Sequence, residues 1–104
     1  MKKVLWTPIA RDSLKETVHF ITELWNDEVA DAFLSQLDYR IEQIRQNPEL
    51  APTFKNSDFR QLVIHKSVSL FYSDYSNYLK ILLIWDNRQD PVQLLEKLTG
   101  ARKS

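Results

Sequence analysis

The most informative segment of this chain for its fold is Tyr78-Leu79-Lys80-Ile81-Leu82-Leu83-Ile84-Trp85. Apart from Lys80, every residue in this stretch is apolar or aromatic. Side chains along a strand point alternately to the two faces of a sheet, so a strand of this kind has to be covered on both faces. We therefore predict that residues 78–85 form a central strand.

Two more strands are predicted directly before the central one. The run from residue 59 to residue 65 is short and contains β-branched residues, and residues 68–75 contain the apolar run Leu70-Phe71-Tyr72. Only Lys66-Ser67 and Ser76-Asn77 separate the three runs, which is typical of antiparallel hairpins.

The first half of the chain carries two helical patterns. Thr7 followed by Pro8 predicts a helix start, because threonine caps free N–H groups and proline has none to lose at the first helical position. Asn26-Asp27 separates this helix from a second one, which ends at Asn47-Pro48. Apolar residues recur at spacings of three and four, as on one face of a helix: Leu14, Val18, Ile21 and Trp25 in the first, and Ala30, Phe33, Leu37, Ile41 and Ile44 in the second.

Together these elements predict a single α+β domain over residues 1–104. Val4-Leu5-Trp6 would be an edge strand, and Asp90-Pro91 would open a final helix that ends at Gly100. The order is β-α-α-β-β-β-α, which favours a helical hairpin packed on one face of a small, mainly antiparallel sheet. All three tryptophans are interpreted as core residues: Trp6, Trp25 and Trp85.

Composition excludes several classes of function. The chain has 104 residues, no cysteine, a single glycine, two histidines, and 14 basic and 14 acidic side chains. Disulfides and zinc–thiolate sites need cysteine, and one glycine cannot build a P-loop or a dinucleotide-binding fingerprint. No run reaches the ~20 apolar residues of a membrane span, and no signal peptide is visible. We predict a cytoplasmic protein without a metal or cofactor and without a membrane partner.

Four basic side chains at predicted strand ends are the candidates for chemistry: Arg60, His65, Lys66 and Arg88. A histidine transfers protons near neutral pH, and the neighbouring Lys66 could stabilise an anion such as phosphate. A guanidinium just beyond a rigid strand can clamp a phosphate or carboxylate through two hydrogen bonds. Two plainer interpretations stay open: His65 is a solvated strand end, or Arg88 pairs structurally with an aspartate at position 86 or 90.

Tyr72 and Asn87 complete this polar set as candidate binding residues. A strand tyrosine more commonly packs in the core with its hydroxyl at the edge of the sheet.

The order of elements and several motifs resemble the RelE/ParE superfamily of small toxins. The resemblance extends from Val4 to about Leu98 and rests on these motifs: Trp6-Thr7-Pro8-Ile9-Ala10, Arg60-Gln61-Leu62-Val63-Ile64, Leu70-Phe71-Tyr72 and Ile81-Leu82-Leu83-Ile84-Trp85-Asp86-Asn87-Arg88-Gln89-Asp90-Pro91. It implies the toxin half of a type II toxin–antitoxin module, often described as plasmid stabilisation, with a cognate antitoxin as partner.

The resemblance also implies one of two targets. One branch of the superfamily enters the ribosomal A site and cuts mRNA without a metal, using basic residues, in some members a His or Glu, and a tyrosine near the carboxyl terminus. The other branch keeps the fold, lacks that constellation and poisons DNA gyrase.

His65, Lys66 and Arg88 lie near the basic residues of the nuclease branch, but no tyrosine follows Tyr78. We therefore predict a growth-arresting toxin that poisons DNA gyrase. The alternatives are a ribosome-dependent mRNA endonuclease, in which His65 transfers a proton while Arg60, Lys66 and Arg88 stabilise charge, and a degenerate toxin that only binds antitoxin. Whether the protein is an enzyme stays open on the sequence.

The final helix offers a candidate antitoxin contact. Three leucines on this helix either pack on the chain's own sheet or form a groove for an antitoxin segment: Leu94, Leu95 and Leu98.

Overall fold

The computed structural model describes residues 2–55, 57–65 and 67–103. Within them the elements follow the predicted order: β1 (Lys3–Trp6), α1 (Pro8–Leu24), α2 (Asp27–Gln46), β2 (Arg60–His65), β3 (Val68–Asp74), β4 (Tyr78–Asp86) and α3 (Pro91–Arg102). No helix in this described part of the chain is long and apolar enough to cross a membrane.

The four strands form one sheet in the order β1-β4-β3-β2. β4 pairs in parallel with β1 and antiparallel with β3, and β3 pairs antiparallel with β2. The prediction of a mainly antiparallel sheet with residues 78–85 at its centre is therefore confirmed, and so is the placement of β1 at an edge.

The helical hairpin covers one face of the sheet, as predicted. Thr7 caps α1 by accepting a hydrogen bond from the Ala10 N–H, and the two helices turn at Asn26, which caps α2. Apolar side chains of α1 and α2 bury themselves against inward-facing residues of the strands, giving one continuous core: Ile21, Phe33, Leu37, Ile44, Leu62, Leu70, Tyr72, Leu79, Ile81 and Ile84.

Because of a β-bulge, β4 contributes side chains to two hydrophobic cores, one on each face of the sheet. Phe71 pairs with Leu83 and Tyr72 pairs with Ile81, so Leu82 is an extra residue opposite β3. An extra residue shifts the alternation of side chains by one position. As a result Ile81 contacts the core under the helical hairpin, while both Leu82 and Leu83 contact a second core on the other face.

That second face is covered by α3. Leu94, Leu98 and Ala101 pack there with Phe71, Trp85 and other apolar residues of the sheet. The prediction that Gly100 ends this helix is wrong, because α3 continues to Arg102. A Cβ at position 100 would lie 3.4 Å from Ile9 Cδ1, about an ordinary van der Waals contact, so α3 packs next to α1 at this position.

The interpretation of all three tryptophans as core residues is only partly right. Trp85 is buried and Trp6 packs against the first core, whereas Trp25 is 58% exposed. Trp25 follows the last residue of α1, and the chain turns into α2 immediately after it, so its ring stays outside the hairpin.

Two leucines of α3 differ in how far their side chains are exposed, and substituting each of them gives a matched comparison. Leu98 is fully buried and Leu95 is 48% exposed. We expect Leu98→Ala to lower the free energy of unfolding by about 2–4 kcal/mol, through lost burial and the cavity left behind. Leu95→Ala should cost less than about 1 kcal/mol. Urea unfolding followed by circular dichroism measures both, and equal losses would contradict the packing of α3 described above.

Candidate functional site: a cleft at the end of the central strand

A cleft of about 420 Å³ opens where the carboxyl end of β4 meets the second half of α1. It brings together two of the residues singled out in the sequence, His65 from the end of β2 and Arg88 from just beyond β4. The remaining walls are largely apolar, with charged side chains at intervals: Phe20, Ile21, Trp25, Val68, Trp85, Glu16 and Lys97.

The guanidinium of Arg88 is held by Asp86. Arg88 Nη2 lies 2.6 Å from Asp86 Oδ2 and Nε lies 3.0 Å from Oδ1, while the Arg88 backbone N–H donates to Oδ1 at 2.9 Å. The carboxylate is almost buried and the guanidinium is largely exposed. This arrangement fixes the arginine at the mouth of the cleft, and its charge is balanced by a neighbouring carboxylate.

Hydrogen bonds from the Arg88 side chain hold the pKa of Asp86 below its usual value of 3.8, against the opposing effect of burial. The Arg88 backbone N–H and the Ser67 hydroxyl lower that pKa further. The same pairing raises the pKa of Arg88. Both groups are therefore charged throughout the physiological range, and the structural pairing of Arg88 with Asp86 is the geometry observed.

Aromatic side chains form the outer rim of the cleft. The Arg88 guanidinium lies 5.7 Å from the centre of the Phe20 ring, within range of a cation–π contact. Phe20, near the end of α1, is 48% exposed, and the exposed Trp25, directly after α1, lines the same cleft. The rim therefore presents two half-exposed aromatic rings next to a fixed arginine.

Lys97 is a cleft residue that the sequence reasoning missed. Its ammonium lies 5.7 Å from the centre of the Trp85 ring and reaches the cleft from α3. The sequence offers one indication of this position. Lys97 stands three residues after the buried Leu94, which places it next to the inward face of the helix.

Asn87 ties the end of β4 to its neighbours. Its backbone N–H donates to the Ser67 carbonyl at 2.7 Å, and its side-chain amide donates to Ser69 Oγ at 2.9 Å. Gln61 Nε2 donates to the same Ser69 oxygen at 3.1 Å. These bonds fix the backbone from which Asp86 and Arg88 project.

Arg60 and Tyr72 lie away from the cleft, at the opposite end of β2 from His65. They are paired in register across β2 and β3, and both bind the loop after α2. Arg60 Nη1 donates to the Ala51 carbonyl at 2.6 Å, and the Tyr72 hydroxyl donates to the Pro48 carbonyl at 2.7 Å. Burial raises the pKa of Tyr72, so the hydroxyl stays protonated and continues to donate.

The remaining candidates have different positions. Lys66 lies outside the described residues. Leu94 and Leu98 are buried in the second core, whereas Leu95 faces outward. Among the described residues, no group of three histidine, aspartate or glutamate side chains could hold a metal ion.

The Asp86 carboxylate gives a pH-dependent prediction. Because its pKa is lower in the folded state than 3.8, its ionised form stabilises the fold above about pH 4, and this contribution is lost as the pH falls through the folded-state pKa. Asp86→Asn should lower the free energy of unfolding by about 1–3 kcal/mol at pH 7, because an amide NH₂ group would face the guanidinium. Urea unfolding at several pH values should show the difference from wild type shrinking below about pH 4. Asp31→Asn, at an exposed position on α2, is the control. If the difference in the free energy of unfolding between wild type and Asp86→Asn did not change with pH, the ion pair between Asp86 and Arg88 would be contradicted.

The fold has a counterpart among solved structures. It is similar to a protein described as the chromosomal ParDE TA system from P. aeruginosa, with 17% sequence identity and a TM-score of 0.68. The alignment covers 81% of this chain and 94% of that chain. This similarity confirms the predicted α+β architecture. No curated protein matches the sequence.

A family model gives the sequence relationship. The model described as the ParE toxin of type II toxin-antitoxin system, parDE, matches residues 4–91. That range runs from the second residue of β1 to the first residue of α3, and so includes most of β1, the other three strands, the helical hairpin and the cleft residues His65 and Arg88. The resemblance inferred from the motifs is thereby confirmed, and the chain belongs to the ParE toxin family of type II toxin–antitoxin systems.

Proposed function

We propose that this toxin arrests growth by poisoning DNA gyrase, and that the rim of the cleft is the surface that contacts the enzyme. The observation that carries the proposal is the engagement of Arg88 by Asp86. An endonuclease would need the charge of this arginine for the phosphate on which negative charge develops. In this toxin a carboxylate already balances that charge.

The distribution of the other cations supports the same conclusion. Arg60, a candidate for charge stabilisation, binds the Ala51 carbonyl at the far end of β2 from His65. The Glu16 carboxylate also lines the cleft and would repel a phosphate. Binding of an RNA backbone depends on clustered cations, whereas a protein partner does not require them.

The rim has the chemistry of a protein-binding surface. Tryptophan and arginine are, with tyrosine, the residue types that most often dominate the binding energy of protein interfaces. Here Trp25 and Phe20 expose about half of their surface, and Arg88 is fixed between Asp86 and the Phe20 ring. Exposed aromatic rings grouped beside a charged group form the kind of apolar surface that marks protein interaction sites.

A supercoiling assay with purified DNA gyrase tests the proposal. We expect wild-type toxin to inhibit supercoiling, and Trp25→Ala to raise the concentration needed for half inhibition about tenfold, as for an interface residue worth about 1.4 kcal/mol. Tyr39→Ala removes an equally exposed aromatic ring from α2, outside the cleft, and should change this concentration less than twofold. A lack of inhibition by folded wild-type toxin would refute the proposal, and equal effects of the two variants would refute the assignment to the cleft.

A ribosome-dependent endonuclease remains the second candidate, because His65 and Lys97 line the same cleft as Arg88. This function predicts new mRNA 5′ ends in a reconstituted translation reaction, and their loss with His65→Ala while antitoxin binding survives. Intact mRNA with normal protein synthesis would exclude it. A degenerate toxin that only binds antitoxin would leave both assays unchanged and would not arrest growth.

A further inference from the structure

The buried side chains behind the rim of the cleft offer mainly apolar contacts. Four of them are apolar residues that line the cleft: Ile21, Val68, Ile84 and Trp85. The volume of about 420 Å³ lies within the range of about 300–1,000 Å³ that is typical of sites that enclose a largely apolar group. A large apolar side chain of a partner would therefore lose its contact with water on entering this cleft, which favours binding.

The described lining also contains two buried polar side chains, and both already have partners within the chain. Ser13 Oγ donates to the Ala10 carbonyl at 2.8 Å and accepts from the Ile84 N–H at 2.9 Å. The Asp86 carboxylate binds the Arg88 guanidinium. The inner wall is therefore suited to an apolar group, and a polar group of the partner has to be bound nearer the mouth.

Lys97 provides a charge for such a polar group. Its ammonium lies 5.7 Å from the centre of the Trp85 ring, and it forms no ion pair with a described residue. The other lysine or arginine of the described lining, Arg88, is already paired with a carboxylate. A lysine ammonium carries three hydrogen-bond donors, which a carboxylate brought by a partner can accept.

Glu16 restricts where the carboxylate of a partner can lie. This residue is exposed on α1 and lines the cleft, and it too forms no ion pair with a described residue. Lys97 reaches the same cleft from α3. An entering carboxylate is repelled on the α1 side and attracted on the α3 side, and charge complementarity of this kind selects partners and fixes their orientation.

Lys97 lies outside the part of the chain that the family model matches. That part ends at residue 91, so it contains Arg88 but not the rest of α3. Leu94 and Leu98 fix this helix on the sheet and thereby determine the position of Lys97. The positive charge on this wall of the cleft is therefore supplied by the final helix of this chain and does not follow from the family match.

We propose that the cleft receives a large apolar side chain of DNA gyrase together with a neighbouring carboxylate, and that Lys97 is the residue of the toxin that selects this acidic neighbour. This assignment rests on the proposed function, because it takes gyrase as the partner. A nucleic acid is a poorer occupant. The described lining holds one lysine or arginine without a carboxylate partner, and the Glu16 carboxylate repels phosphate, whereas binding of a nucleic-acid backbone depends on several cations.

A supercoiling assay with charge variants tests the role of Lys97. We expect Lys97→Glu to raise the toxin concentration needed for half inhibition of gyrase about tenfold at low salt, and by a smaller factor at higher salt, because salt screens the ion pair. Lys97→Arg keeps the charge and should stay within about threefold of wild type. Lys15→Glu makes the same change of charge at an exposed position on α1 outside the cleft, and its effect should be less than about twofold.

A binding measurement without gyrase tests the chemistry of the cleft separately from the identity of the target. The probes are the blocked dipeptides acetyl-Phe-Asp-amide and acetyl-Phe-Asn-amide, which differ in the carboxylate alone. In NMR titrations up to about 10 mM peptide, both should shift the indole N–H resonance of Trp85. The aspartate peptide should bind about two- to fivefold more tightly than the asparagine peptide, and Lys97→Ala should abolish this preference.

The two experiments distinguish failure of this assignment from failure of the proposed function. If gyrase is inhibited but Lys97→Glu behaves like Lys15→Glu, or if the two peptides bind equally to wild type, the role of Lys97 is overturned and gyrase remains the target. If wild-type toxin does not inhibit gyrase but the preference for the aspartate peptide depends on Lys97, gyrase is the wrong partner, and the apolar and acidic character of the bound segment is supported. Thermal melting establishes that each variant is folded.

A single-stranded RNA oligonucleotide is the competing probe. If it shifts the Trp85 indole resonance at a lower concentration than the aspartate peptide does, the cleft binds nucleic acid and the proposal is overturned. No shift by the oligonucleotide, together with the preference for the aspartate peptide, supports a protein segment as the occupant.

Discussion

The structure depends on the burial of β4, whose backbone groups must all find partners without water. β3 provides partners along one side of β4, but on the other side β1 reaches only as far as Ile81. Beyond that point α1 replaces it: Thr7 Oγ1 donates to the Leu82 carbonyl at 3.3 Å, and Ser13 Oγ accepts from the Ile84 N–H at 2.9 Å. A buried backbone group left without a partner costs about 1–3 kcal/mol, so these two side chains fix α1 against the central strand.

The position of the cleft follows from this attachment. Because α1 is fixed along the second half of β4, its last turns extend past the end of the strand and carry Phe20 and Trp25 there. The backbone leaving β4 is in turn held by Asn87 and by the bonds between Asp86 and Arg88. Hydrogen bonds therefore hold the backbone on two sides of the cleft, and preorganisation of this kind reduces the free-energy cost of binding a partner.

The helices and strands, their order and the identity of the central strand could all be predicted from the sequence. These depend on local properties: the spacing of apolar residues in α1 and α2, the cap at Thr7 and the unbroken apolar run from residue 78 to residue 85. It also excluded cysteine chemistry and glycine-rich phosphate loops, because those require residues that the chain lacks. The motifs were sufficient for the toxin family.

Which residues meet in space could be seen only once the elements were packed together. His65, Arg88 and Lys97 come together from three separate parts of the chain, while Arg60, on the same strand as His65, is carried to the other end of the sheet. The bulge at Leu82 and the exposure of Trp25 depend equally on packing between elements distant in sequence. Periodicity specifies which side of a helix or strand is apolar. It contains no information on where one element ends relative to another, and those relative positions create the cleft.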